Sequence, residues 1–190
     1  MPADALKRYL QDHLAGSVAA LQLMETLADH ERGLPLEQKL RGLHYEVTEE
    51  QERLKAILAR LEGEESSLKR AAAWLTEKLH RARLALVERA DPALARLESL
   101  ESLALGLQGK LALYRALEEV VPDEPRLGGY PLAALQGRTL LQHAMVEQER
   151  MAAARTAFAQ GDGSSGTDRR DASSGMDTRA DSGDTGEWGP

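Results

Sequence analysis

Between Leu36 and Leu61 the residues Leu36, Leu40, Leu43, Val47, Leu54, Ile57 and Leu61 recur in alternating steps of four and three, and Glu50 holds the one charged place in the series. A period near 3.5 residues puts all of them on one stripe of an α-helix and scatters them over both faces of a strand. A stripe this narrow and this long is buried only against other helices at shallow crossing angles, in coiled-coil-like packing. Composition points the same way. Hydrophobic residues make up 42% of the chain but aromatics only 4%. The apolar content is therefore mostly Leu and Ala, which favour helix, while the β-branched and aromatic side chains of strands are scarce. The fold class is all-α.

Punctuation divides residues 1–160 into five helical segments. The first runs from about Asp4 to Asp29 and ends at Gly33 and Pro35, where glycine permits the exit and proline forbids continuation. The second spans Leu36 to Leu61 and stops at Gly63. Ser66 or Ser67 caps a third, to about Arg89, and Asp91-Pro92 supplies a cap and an N1 proline for a fourth, to Val120. After the break Val121 to Gly129, a fifth helix runs from Pro131 to about Ala159. Each long segment carries polar groups on or beside its stripe. Leu10, Leu14, Val18, Leu21, Glu25 and Ala28 form it in the first. Leu97, Glu101, Ala104, Gln108 and Leu111 lie beside a cleaner Leu100, Leu103, Leu107 row in the fourth, and Leu141, Met145, Gln148 and Ala152 mark the fifth.

The third segment, about 66–90, differs in charge. Six basic residues, among them Lys69, Arg70, Lys78 and Arg81, face two glutamates in a chain whose net charge is -7. As a helix it would be roughly 36 Å long, enough to carry the chain from one end of a bundle to the other. With Trp74 beside its stripe it is the candidate interaction surface, for an acidic protein partner or anionic lipid headgroups; the simpler reading is a basic face in water. Residues 161–190 contain 21 Gly, Ser, Asp or Thr and only Trp188 as an aromatic group. Such a sequence cannot offset its ordering entropy, so a disordered acidic tail is expected.

Several functions are excluded or disfavoured. Without cysteine there is no disulfide, thiolate nucleophile or cysteine-ligated metal. An acidic chain does not suit general nucleic-acid binding. No stretch approaches the length of an apolar membrane span, and the N-terminus does not read as a secretory signal, so a cytoplasmic location is expected. No nucleophile with its base and no phosphate-binding glycine loop is recognisable. Gly106 and Gly109 fall inside a helix, where close helix packing is expected, and the paired acids Glu98 and Glu101 read as solvated.

Two hairpins joined by a long crossover resemble the layout of the ferritin-like bundles. Glu50-Gln51-Glu52-Arg53-Leu54 in the second helix recurs as Glu147-Gln148-Glu149-Arg150-Met151 in the fifth, and Gly16, Leu21, Leu23 and Leu27 are echoed by Gly106, Leu111, Leu113 and Leu117, as in a duplicated hairpin. The resemblance implies a four-helix bundle over residues 4–160 with the crossover helix at about 66–90. It also implies where a di-iron site would lie, since the family places Glu-x-x-His on two helices. Here Arg53 and Arg150 stand in the histidine positions, and a guanidinium offers no lone pair. The expected substitute is an ion-pair cluster in which Glu50 pairs with Arg150 and Glu147 with Arg53.

The sequence thus predicts a non-enzymatic binding or scaffold protein of ferritin-like build, with no cofactor and with an unidentified protein or a second copy as partner. The alternative is a metal-binding or ferroxidase-like protein holding iron or another divalent metal. Its candidate ligands are Glu25, Glu50, Glu101 and Glu147 with His44 or His143, the latter four residues before Glu147; His13 is a further histidine on a helix.

Overall fold

The computed structural model describes residues 3–62 and 91–159, and every regular element among them is helical. Four long helices, α1 (Ala3–His30), α2 (Pro35–Glu62), α3 (Pro92–Val120) and α4 (Leu132–Ala159), are accompanied by two short 3-10 turns, Val121–Asp123 and Pro125–Leu127. The basic segment 66–90, with Lys69, Arg70, Trp74, Lys78 and Arg81, and the tail 161–190 lie outside the described residues. No helix among those described is long and apolar enough to cross a membrane.

Local chemistry fixes the helix ends. Gly33 takes φ 81° between α1 and α2, a left-handed conformation open to glycine at little cost, and its N–H donates to Glu37 Oε2 at 2.7 Å. Asp91 caps α3 by accepting the N–H groups of Ala93 and Leu94 at 2.9 and 3.2 Å, with Pro92 at the first helical position. Between α3 and α4, Leu127 turns inward and is buried, while Arg126 Nη1 donates to the Leu61 carbonyl at 3.1 Å and so satisfies the last turn of α2.

Two buried clusters define the direction of each helix. Leu6, Leu10 and Leu14 from the start of α1 meet Leu54, Ile57 and Leu61 from the end of α2, Leu113 and Leu117 from the end of α3, and Leu132 and Leu135 from the start of α4. At the other end, Leu23, Met24 and Leu27 meet Leu36, Leu40 and Leu43, Leu97 and Leu100, and Val146 and Ala153. The order is therefore up, down, down, up, and α2 ends at the opposite end of the bundle from the one where α3 begins. α1 packs on α2 and on α3, and α3 packs on α4. Polar side chains bridge α2 to α4.

The stripe of α2 is buried at every predicted position, Glu50 included. Three other stripes differ from expectation. Glu25 is exposed on α1, where Leu23, Met24 and Leu27 are buried instead; Glu101 and Gln108 are exposed on α3, whose buried line follows Leu100, Leu103 and Leu107. On α4 the predicted line is one residue out. Leu141 is 75% exposed, and the buried face is Leu135, Thr139, Gln142 and Val146. Leu132 and Ala153 lie on this face too, and the Gln142 amide on it is committed to groups on α2 and α3.

Truncating the fully buried Leu100 to alanine is expected to lower unfolding free energy by about 2–5 kcal/mol, whereas Leu141→Ala should stay within about 0.5 kcal/mol. Urea titrations followed by circular dichroism measure both, and equal losses would contradict this assignment of faces.

Candidate functional site

The centre of the bundle is polar. Glu50 on α2 is 3% exposed and lies opposite Lys110, which reaches it from α3 and donates to Glu50 Oε2. Lys110 Nζ also donates to Gln142 Oε1 on α4 at 2.5 Å. The acceptance of that bond orients the amide, whose Nε2 donates to Glu46 Oε2 at 2.7 Å and to Glu50 Oε1 at 3.2 Å. Arg138 Nη1 stands 3.9 Å from Glu50 Oε1 and 3.8 Å from Glu49. Three helices are thus tied by one lysine, and each charge faces an opposite one.

Lys110 occupies its place for a reason visible in α3. Continuing the Leu100, Leu103, Leu107 row by steps of three, four and three gives Lys110, Tyr114 and Leu117. Leucines at both ends of the row are buried, so rigid helical geometry carries Lys110 inward with them. Burial pushes the Lys110 ammonium below the usual lysine range; Glu50 and then Glu46 oppose this shift, and Arg138 adds to it. The Tyr114 phenol is pushed up, by burial first and by the Glu50 charge second, and stays protonated.

A cavity of about 220 Å³ opens from this centre between α1, α2 and α3. Its walls include Ala20, Met24, Leu43, Val47, Leu54, Leu103 and Leu107, and polar residues border it from α1 (Asp12, His13, Ser17), α2 (Glu50, Gln51) and α3 (Lys110, Tyr114). Gln51 lies alongside and donates to Ser17 Oγ at 2.9 Å, which in turn donates to the Leu14 carbonyl. Gly16, Gly106 and Gly109 border the space, and a Cβ built at any of them meets no atom within 4 Å. Close helix packing, the role expected of Gly106 and Gly109, is therefore not what they serve. They leave the space between α1 and α3 open. His13 stands with Asp12 at the α1 side, its ring edge-on to Tyr9 with centroids 4.6 Å apart. Burial lowers the His13 pKa, against the smaller opposing pull of Asp12.

The residues singled out in the sequence are dispersed. Glu147 and Arg150 pair with each other along α4, at 2.6 and 2.8 Å, and Arg150 approaches Glu101 at 3.9 Å. That pairing holds the Glu147 carboxyl below the usual carboxylate range. The cross-pairs Glu50 with Arg150 and Glu147 with Arg53 do not form. Glu50 is instead matched by Gln142, five residues before Glu147, so the two Glu-Gln-Glu-Arg runs sit in different registers and only one of them reaches the centre. Among the candidate metal ligands, Glu25 and His44 border a separate surface hollow beside Arg41, and His143 contacts Gln108 at 3.2 Å. No group of three His, Asp or Glu side chains converges as a metal site among the described residues. Sequence reasoning missed Lys110, Gln142 and Gln51. The first was readable from the continued leucine row; the amides carried no signal that separates them from surface glutamines.

In comparison with known proteins, no family model matches the chain, and no curated protein or solved structure matches it.

Replacing Lys110 by methionine leaves the Glu50 charge buried without its principal partner and is expected to destabilise the fold by about 3–5 kcal/mol. The double variant Glu50→Leu/Lys110→Met should recover most of that loss, and a thermodynamic cycle from denaturant titrations reads the coupling. A second outcome concerns pH. The folded-state pKa of His13 lies below its ordinary 6.5, so as pH falls through 6.5 the unfolded chain takes up a proton that the folded one refuses. Stability should therefore decline from pH 7 toward pH 5 with a component that disappears in His13→Gln.

Proposed function

We propose that this chain is a ferritin-like bundle adapted to non-enzymatic binding, with a small, mainly apolar molecule as ligand in the cavity between α1, α2 and α3 and with no di-iron centre. The up, down, down, up order supports the ferritin-like part of this reading, as does the need for the chain to pass from one end of the bundle to the other between α2 and α3. The observation that carries the binding part is a cavity of about 220 Å³ lined mainly by aliphatic side chains, with a few polar residues among them. Ligand sites characteristically combine apolar walls with a few convergent polar groups.

Lys110 bears on the metal question. Its protonated amine offers donors and no lone pair, and it brings positive charge to the place between α2, α3 and α4 that a cation would need. The carboxylates nearest to it are consumed as its counter-charges. A bundle built around a lysine in this way has its polar centre committed to holding helices together, which leaves the adjacent cavity as the accessible feature.

Ligand-observed NMR with ethylbenzene tests the reading. Binding should be saturable in the parent protein and fall at least tenfold in Gly16→Leu/Gly109→Leu, two positions on the cavity wall where an added Cβ meets no atom within 4 Å. Absence of binding by the folded parent, or stoichiometric retention of ferrous iron, zinc or manganese after desalting, would overturn it.

A further inference from the structure

The outer side of the hairpin formed by α3 and α4 is apolar where a water-facing surface is ordinarily polar. Leu105 is 61% exposed, Leu140 51% and Phe158 68%, and Leu94 and Met151 are exposed as well. Single exposed leucines need no explanation, but these five share one strip. Glu101 approaches Arg150, and Gln108 contacts His143, so α3 and α4 run antiparallel with those residues at matching heights. Leu105 lies four residues after Glu101 and three before Gln108, which puts it on the same edge of α3, level with Glu147. Counted from the same two links, Leu94 is level with Phe158, and the exposed Ala112 with Leu140. On α4, Leu140, Glu147, Met151 and Phe158 are spaced by seven, four and seven residues and form one stripe. From Leu140 to Phe158 the strip is roughly 27 Å long. Among the described residues no side chain covers it. Apolar side chains thus occupy both the buried and the outer side of α4, the pattern of a helix enclosed on more than one side.

The charges at the middle of the strip say what can cover it. Arg150 pairs with Glu147 at 2.6 Å and stands 3.9 Å from Glu101, so both signs are present and neither a strongly acidic nor a strongly basic partner is selected. A second copy of the chain is. In a symmetric dimer one patch meets itself and must be self-complementary. Lay a second α4 antiparallel over the first, with the two-fold axis passing between residues 148 and 149. Arg150 of each copy then faces Glu147 of the other, and Leu140 comes level, to within one residue, with Phe158 of the second copy. Leu94 and Leu105 flank this line on α3.

The size of the face is sufficient. Two helices about 42 Å long, side by side at about 10 Å spacing, present on the order of 800 Å², which is the area each partner contributes to a specific interface of standard size.

We infer that the outer face of α3 and α4 joins two copies of the chain in a symmetric dimer, α4 antiparallel to α4. Leu140 and Phe158 close the two ends of the contact, and Glu147 and Arg150 exchange partners at its middle.

Sedimentation equilibrium on the full chain, from about 1 to 100 µM to cover the weaker affinities of interfaces this large, reads the mass. A value twice the 20.8 kDa of one chain is expected in the upper part of that range. Leu140→Glu/Phe158→Glu, at two exposed positions, should weaken the dimer at least roughly a hundredfold by burying unpaired charge and leave the circular dichroism spectrum unchanged. Arg150→Glu and Glu147→Arg each set like charges face to face across the axis, so each should be monomeric where the parent is dimeric. An equimolar mixture of the two should recover dimers, because each copy then meets the opposite charge. A monomeric parent at about 100 µM, a dimer indifferent to Leu140→Glu/Phe158→Glu, or a mixture no more associated than its components overturns the inference. A monomeric parent that loses stability in Leu140→Glu/Phe158→Glu also overturns it, and shows that another part of the same chain covers the strip.

Discussion

One lysine holds the middle of this molecule together. Lys110 extends from α3 across the bundle to Glu50 on α2 and Gln142 on α4, and through Gln142 it fixes Glu46 as well. Apolar packing at the two ends would bring four amphipathic helices together in several rotational settings, because leucine stripes interdigitate with little directional preference. The central network admits far fewer. Glu50 must face Lys110, and the Gln142 amide must satisfy an acceptor and two donor directions at once. Buried ionic groups need not add net stability, and their better attested contribution is to specify one arrangement over others. In this protein the network and the apolar residues Leu135 and Val146 share one face of α4.

The same network creates the cavity. Polar groups at the centre cannot be covered by leucine without losing their partners, and Gly16, Ala20, Gly106 and Gly109 stand among the larger side chains that line the space on α1 and α3. Glycine inside a helix is less favourable than alanine by about 1 kcal/mol, and nothing near Gly16, Gly106 or Gly109 is crowded enough to demand it. Open volume beside a buried ion pair follows from that combination. The cavity and the ion pair are two aspects of one local choice of residues.

Much of the helical architecture was legible in the sequence. Segment boundaries at Gly33-Leu34-Pro35, Asp91-Pro92 and Val121 to Gly129 lie within a residue or two of the observed ends, since capping and proline effects act over a few neighbouring residues. The α2 stripe was legible for the same reason: Leu36 to Leu61 keeps one period throughout. The α4 stripe was not, because Ala, Gln, Thr and Met around Leu141 give several nearly equal faces and no strong apolar contrast. The repeat of Glu-Gln-Glu-Arg misled most. It is an identity of letters in two helices whose buried registers are offset, and spacing along a single helix contains no measure of depth in the bundle.

The sequence by itself determined that the chain is helical, where its helices begin and end, and that Glu50 lies on a buried face, because each of these depends on propensity, capping and periodicity within one segment. Only the tertiary structure decided which cation answers Glu50. Lys110, Arg53, Arg138 and Arg150 are alike in charge, and the choice among them depends on the relative rotation and height of helices far apart in the chain. That choice placed a lysine in the centre, sent Glu147 and Arg150 to pair near the surface, and left open the space beside Gly16, Gly106 and Gly109.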